Sequence, residues 1–203
     1  MRRVLVVSGE PSGERHAAGL VEAARRLDAG LSFAGVGGPR LAAAGCELLH
    51  DAAELSVVGI TEVVRRLPAL RRVMADLSRR IASGRYDALL PVDFPDFNLL
   101  LARTARRRGV PVVYFVSPQV WAWRRGRVRT IRERVDRMIV LFRFEEAFYR
   151  EHGVPVTFAG HPLAEITGRP VPAAEARRRL GWPPDAPVFG LLPGSRPAEI
   201  ARH

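Results

Sequence analysis

Four short segments carry the side chains with which this chain could do acid–base or anion chemistry. The first is Asp93-Phe94-Pro95-Asp96-Phe97-Asn98, which follows the apolar run Ala88–Val92. A carboxylate released at the end of a buried strand faces the crevice where α/β sheets hold ligands. Asp96 or Asn98 can instead cap the helix that follows. Asp93 precedes Pro95 and caps less simply, so it is the candidate general base. A base needs hydrogen-bond reach of the proton it takes and a modestly raised pKa; a solvated loop aspartate is the plainer alternative. The second segment is Gly190-Leu191-Leu192-Pro193-Gly194-Ser195-Arg196. Gly194, Ser195 and Arg196 offer backbone donors, a hydroxyl and a bidentate cation, a set suited to phosphate.

The third segment runs Ser8-Gly9-Glu10-Pro11-Ser12-Gly13-Glu14-Arg15-His16. Two glycines admit close backbone approach, and the helix that starts here presents free N–H groups. It is neither a G-x-G-x-x-G nor a Walker A loop, and a tight strand–helix turn reads equally well. His16 belongs to the core or to the site with equal weight. A similar glycine loop, Gly35 to Arg40, is read as a structural turn. The fourth segment, Ser117 to Arg127, places Trp121 and Trp123 beside a cluster of arginines. Such indoles stack on sugars or bases, or pack beneath a helix.

The elements that must position these loops follow from patterning. Seven short apolar runs read as strands: Val4–Ser8, Ser32–Val36, Ala88–Val92, Val110–Val116, Met138–Leu141, Val154–Ala159 and Val188–Leu192. They are continuous rather than alternating, as strands buried on both faces are. Helical stretches separate them: Gly13–Leu27, Thr61–Ile81, Phe97–Arg108, Arg127–Arg134, Glu145–His152 and Ala173–Leu180. Gly84, Gly109, Gly153 and Gly181 stand at helix ends. This alternation predicts an α/β fold, a Rossmann-like parallel sheet with helices on both faces. Residues 1–167 form one domain in this reading, 168–172 a Pro-rich linker, and 173–203 the opening of a second domain.

Composition narrows the classes. The chain has 203 residues, 47% hydrophobic and 26% charged, which excludes a disordered or fibrous chain. Its single cysteine, Cys46, permits no internal disulfide and sits in an apolar stretch as inert packing. No cysteine–histidine cluster suggests zinc, no metal site is expected, and no cofactor is required. All 32 basic residues are arginine, and the net charge is +11, which favours an anionic partner. No apolar run is long enough to span a bilayer, and none reads as a signal peptide. A nucleic-acid-binding module fits the charge, but no RNP, KH or helix-turn-helix signature accompanies it. Between Val57 and Ile81, apolar residues recur every three or four positions beside paired arginines. Pro68 is expected to divide the stretch into two helices. The second half reads as an ordinary buried stripe. The first, with Val57, Val58, Ile60, Val63 and Val64, reads as a membrane contact.

Taken in order, SGEPSGERHAAG, GVGGPRLAAAGCE, VVGITEVV, VDFPDFN, YFVSPQVWAWRRGRV, GVPVTFAGHPLAE and LPGSRPAEI closely resemble the lipid-A-disaccharide synthase family across essentially the whole chain. Glu14, Pro11 and Glu165 depart mildly from the usual residues. The resemblance implies the N-terminal half of a two-domain GT-B glycosyltransferase, with most of the donor-binding domain absent from these 203 residues. It implies transfer of 2,3-diacylglucosamine, with inversion, from UDP-2,3-diacylglucosamine to lipid X (2,3-diacylglucosamine 1-phosphate), giving a β-1,6 disaccharide and UDP. It places the catalytic Asp at Asp93 and the phosphate ligand at Arg196. Ser8, Gly9, Glu10, Ser12, Gly13, His16, Asp96, Asn98, Ser117, Trp121, Trp123 and His161 become candidate acceptor or cleft residues. It further implies a peripheral enzyme on the cytoplasmic face of a Gram-negative inner membrane, an anionic lipid surface as partner and no nucleic acid, and it leaves a homodimer open. A MurG-like transferase or a UDP-sugar epimerase shares the architecture, though VSPQVWAWR would not be expected there.

Overall fold

A computed structural model describes residues 2–55, 60–121, 126–164, 168, 170–194 and 200, with side chains left aside at positions 11, 54 and 60–66. Two compact units result, Met1–Pro162 and Leu163–His203. In the first, seven strands among the described residues form one parallel sheet: β1 (Arg2–Ser8), β2 (Leu31–Gly37), β3 (Cys46–Asp51), β4 (Ala88–Val92), β5 (Val113–Phe115), β6 (Arg137–Val140) and β7 (Val156–Phe158). Their order is β3-β2-β1-β4-β5-β6-β7. The chain winds outward from β1 in one direction and from β4 in the other. The strand order therefore reverses between β1 and β4, the place where such sheets bind ligands.

Side chains alternate between two apolar layers, as the pleat requires. Leu5 and Val7 of β1 join Val73, Leu77 and Ile81 on one face. Val6, between them, joins Ala17, Val21 and Leu41 on the other. The covering helices are α1 (Pro11–Leu27), α2 (Pro39–Ala43), α3 (Ile60–Ala82), α4 (Pro95–Arg107), α5 (Arg127–Arg134) and α6 (Arg143–Glu151); α7 (Ala173–Leu180) lies in the second unit. Gly84, Gly109, Gly153 and Gly181 all take the left-handed conformation after helices, at φ 71°, 70°, 68° and 67°.

Two expectations are corrected. Pro68 does not divide its helix: α3 runs unbroken through it. An internal proline removes one hydrogen bond and crowds the preceding turn, but burial of Val73, Leu77 and Ile81 anchors the helix beyond it. Val188–Leu192 is not a strand. Phe189, Leu191 and Leu192 are 86–92% exposed, and no strand among the described residues pairs with them, so no ladder forms. One strand went unread: Cys46–Asp51 is the edge strand β3. Its mixed composition suits a strand paired on one side only. Burial pushes the Cys46 thiol up to about 12, aided by Glu47, so it remains protonated and unreactive.

Candidate active site

The carboxyl ends of β1 and β4 lie side by side, with Ser8 opposite Val92. The loops that leave them are the ones that carry Gly9 and Asp93. They interlock: a Cβ built on Gly9 falls 2.5 Å from Cγ of Phe94, and one on Gly13 falls 3.3 Å from Cβ of Asp93. Only glycine lets the first loop pass beneath the Phe94 ring. Gly9→Ala is therefore expected to destabilise the fold by roughly 1–3 kcal/mol through overpacking. A lower urea midpoint at unchanged slope checks this.

The turn that holds Asp93 is strained and heavily braced. Asp93 and Phe94 are both left-handed, at φ 52° and 49°, a conformation that costs roughly 1–2 kcal/mol for each non-glycine residue. Side chains oppose that cost. Asn98 Nδ2 donates to the main-chain oxygens of Asp93 at 2.7 Å and Val7 at 3.2 Å. The Tyr114 hydroxyl donates to the same Asp93 oxygen at 2.6 Å, and the Asp93 N–H donates to Phe115 O at 3.2 Å. Asn98 and Tyr114 are fully buried. Asn98 thus braces β1, β4 and the turn, and does not cap α4; Phe94 holds the cap position without a side-chain bond, and Pro95 opens the helix. Burial raises the pKa of the Asp93 carboxyl, against a hydrogen bond from the Phe94 N–H. A carboxylate tuned upward is the better proton acceptor near neutral pH.

Asp93 opens onto a cleft of about 400 Å³ that also contains Asp96, Ser117, Gln119 and Arg127. Its far wall turns at Val116, whose φ of 63° is exceptional for a β-branched residue. Ser117 lines the cleft, but its hydroxyl donates inward to Glu145 Oε1 at 2.9 Å and receives the Tyr149 hydroxyl at 3.2 Å. Glu145 is buried and accepts the Phe142 N–H through its other oxygen at 3.0 Å. Glu145 and Tyr149 were absent from the sequence-derived site. Only the spacing of Glu145 as third residue of α6, a capping-box position, could have flagged it. Asp96 is ion-paired with Arg127 across the cleft mouth.

The remaining candidates divide. His16 meets His161 edge-on at 5.6 Å and Phe115 at 6.2 Å. Burial first, then His161 and Arg15, lower its pKa and hold it neutral. Phe142 continues the row, 5.6 Å from His161 and 5.7 Å from Phe144. Trp121 packs edge-on against Phe144 at 4.9 Å, and its buried Nε1 has no hydrogen-bond partner among the described residues. Ser8 is fully buried, Glu10 half-buried and Ser12 exposed. Glu14 accepts the N–H groups of Arg40 and Leu41 at 2.8 and 3.1 Å, which ties α1 to α2. Gly194, at φ 113°, belongs to the second unit. Trp123, Ser195, Arg196, Val57 and Val58 lie outside the described residues, as do the side chains of Ile60, Val63 and Val64. Among the described residues, no three His, Cys, Asp or Glu gather as a metal site, and no helix is long and apolar enough to cross a membrane. A second cavity, about 690 Å³, lies at the opposite, amino ends of β2 and β3 beside Arg25 and Glu47, away from Asp93.

Two solved structures share the fold. One is Anabaena Alr3699/HepE in complex with UDP and glucose, at TM-score 0.50 and 14% identity, covering 89% of this chain and 50% of that one. The other is a ugt transferase from Siraitia grosvenorii in complex with UDP, also at TM-score 0.50 and 14% identity, covering 79% and 51%. Relatives by sequence are far nearer. The lipid-A-disaccharide synthases of Geobacter sulfurreducens and Myxococcus xanthus are each 52% identical over 200 residues, 98% of this chain and 52% of theirs. The chain thus spans about half the length of these curated relatives. The model of the lipid-A-disaccharide synthetase family matches residues 4–203, so the chain belongs to that family.

Proposed function

We propose that this chain is the acceptor-side part of an inverting glycosyltransferase that builds the lipid A disaccharide. The donor is UDP-2,3-diacylglucosamine and the acceptor 2,3-diacylglucosamine 1-phosphate. Asp93 takes the proton of the acceptor's 6-hydroxyl as that oxygen attacks the donor's anomeric carbon. The bond from that carbon to the UDP oxygen breaks from the opposite face, so configuration inverts, and UDP leaves with the bonding pair. Arg196, with the backbone around Gly194 and Ser195, neutralises the departing diphosphate. In this reading residues 1–167 form the acceptor-side domain, 168–172 the linker and 173–203 the start of the donor domain of a GT-B enzyme. The observation that carries the reading is the braced Asp93 carboxyl at the strand-order reversal, its pKa raised by burial, in a chain of this family. The direct test is UDP release and formation of a β-1,6 disaccharide from the two lipid substrates by a full-length enzyme containing this sequence. Release without the disaccharide, or with an unrelated acceptor only, contradicts it.

Both substrates carry acyl chains, so the same reading puts the enzyme against the inner membrane's cytoplasmic face. The apolar entry Val57, Val58, Ile60, Val63 and Val64, followed by paired arginines, supports that contact; each arginine near anionic lipid adds roughly 1 kcal/mol. Val58→Ser, Ile60→Ser, Val64→Ser together are expected to reduce flotation with anionic liposomes. A folded triple variant that floats like wild type at every salt concentration places the contact elsewhere.

A further inference from the structure

We propose that Arg127 binds the phosphate of a hexosamine phosphate whose hydroxyl lies at Asp93, and that Asp96 holds the Arg127 guanidinium at the cleft mouth until that ligand arrives. The inference rests on the reading of Asp93 as the base. Asp93 enters the cleft from the end of β4, and Arg127 from the first residue of α5. Among the described residues that line it, Arg127 is the only cation. A ligand that meets both groups must offer a hydroxyl to a carboxylate and an anion to a guanidinium. A sugar phosphomonoester does so, and a cleft of about 400 Å³ has room for one.

The partner now on Arg127 is a weak competitor. The Asp96 side chain is 73% exposed and that of Arg127 28%. An ion pair with one end in water is screened by solvent and gains little. A phosphomonoester instead gives the guanidinium two parallel, charge-assisted bonds. Asp96 also adds a second negative charge beside Asp93, which opposes an incoming anion. Ser117 offers no competing hydroxyl, because its proton is donated to Glu145. Asp96 is therefore a placeholder whose removal strengthens anion binding, which a purely structural ion pair would not do.

The test titrates the ¹⁵N-labelled 203-residue chain with α-D-glucosamine 1-phosphate, glucosamine, inorganic phosphate and UDP, following amide shifts of Asp93, Asp96, Gln119 and Arg127. Glucosamine 1-phosphate is expected to saturate these amides at lower concentration than the other three. Arg127→Gln weakens it by about tenfold or more and leaves glucosamine unchanged; Arg127→Lys, which keeps charge without the fork, falls between. Asp96→Asn strengthens it. Equal binding by a folded Arg127→Gln, weaker binding by Asp96→Asn, tighter binding of UDP at the same amides, or no shift in wild type each overturns the assignment. In a full-length enzyme, Arg127→Gln raises the acceptor's KM by a similar factor and leaves the donor's unchanged. A wild type that forms no disaccharide sinks the transferase reading while the titration still decides Arg127. Disaccharide formation with an unaltered acceptor KM in Arg127→Gln sinks only the phosphate site.

Discussion

Asp93→Asn in a full-length enzyme containing this sequence lowers kcat by about 10²–10⁴-fold, the span of a general base, and leaves the fold at least as stable as before. The two halves of this result have one cause. Burial disfavours the ionised carboxyl in the folded chain. In the unfolded chain the same group titrates at its ordinary value, so the unfolded state releases its proton first as pH rises. Stability is then lost between the ordinary carboxylate pKa and the raised one, and the loss persists at neutral pH. Asparagine fills the same space without the charge and removes that penalty. It also accepts no proton. The brackets from Asn98 and Tyr114 go to the Asp93 main chain, so the substitution leaves the turn's support in place. Kinetics alongside a urea melt check both halves. Near-normal turnover moves the base to Asp96 or Glu10, and a large loss of stability makes Asp93 a structural residue.

Arg196→Ala is expected to abolish measurable turnover in the same enzyme, and EDTA is expected to leave wild-type turnover intact. An inverting displacement expels a diphosphate, and the charge that develops there must be met. Removal of one preorganised donor from such a site costs about 10²–10³-fold, and a guanidinium supplies two at once with a full charge. These 203 residues contain no D-x-D pair of the kind that holds a divalent ion on a diphosphate. Strict Mg²⁺ dependence would contradict this assignment, as would an Arg196→Ala enzyme with an unchanged donor KM and kcat.

The sheet was legible because its strands announce themselves. Runs such as Val4-Leu5-Val6-Val7 and Ala88-Leu89-Leu90-Pro91-Val92 carry no polar alternation, so both faces are buried and the strands are parallel. The place of Asp93, at the carboxyl end of β4 and on the cleft, was legible because it follows such a run directly. The brace beneath it was not. Asn98 reads as a helix-cap residue, and Tyr114 as one more apolar position in a strand; only the fold brings them to one carbonyl oxygen. Glu145 and Ser117 are 28 residues apart, and nothing local in either segment signals that they meet. Pro68 and Val188–Leu192 misled for a related reason. Local preference predicts a break and a strand, but tertiary burial decides the first, and the presence of a pairing neighbour decides the second.

The dependence of kcat/KM on pH, measured for wild type and Asp93→Asn side by side, bears most directly on Asp93 as the base. A base must be ionised to act, so wild-type activity should rise with pH through a limb placed above the ordinary carboxylate range, and the residual activity of Asp93→Asn should lack that limb. A limb at the same pH in both proteins would show that another group takes the proton.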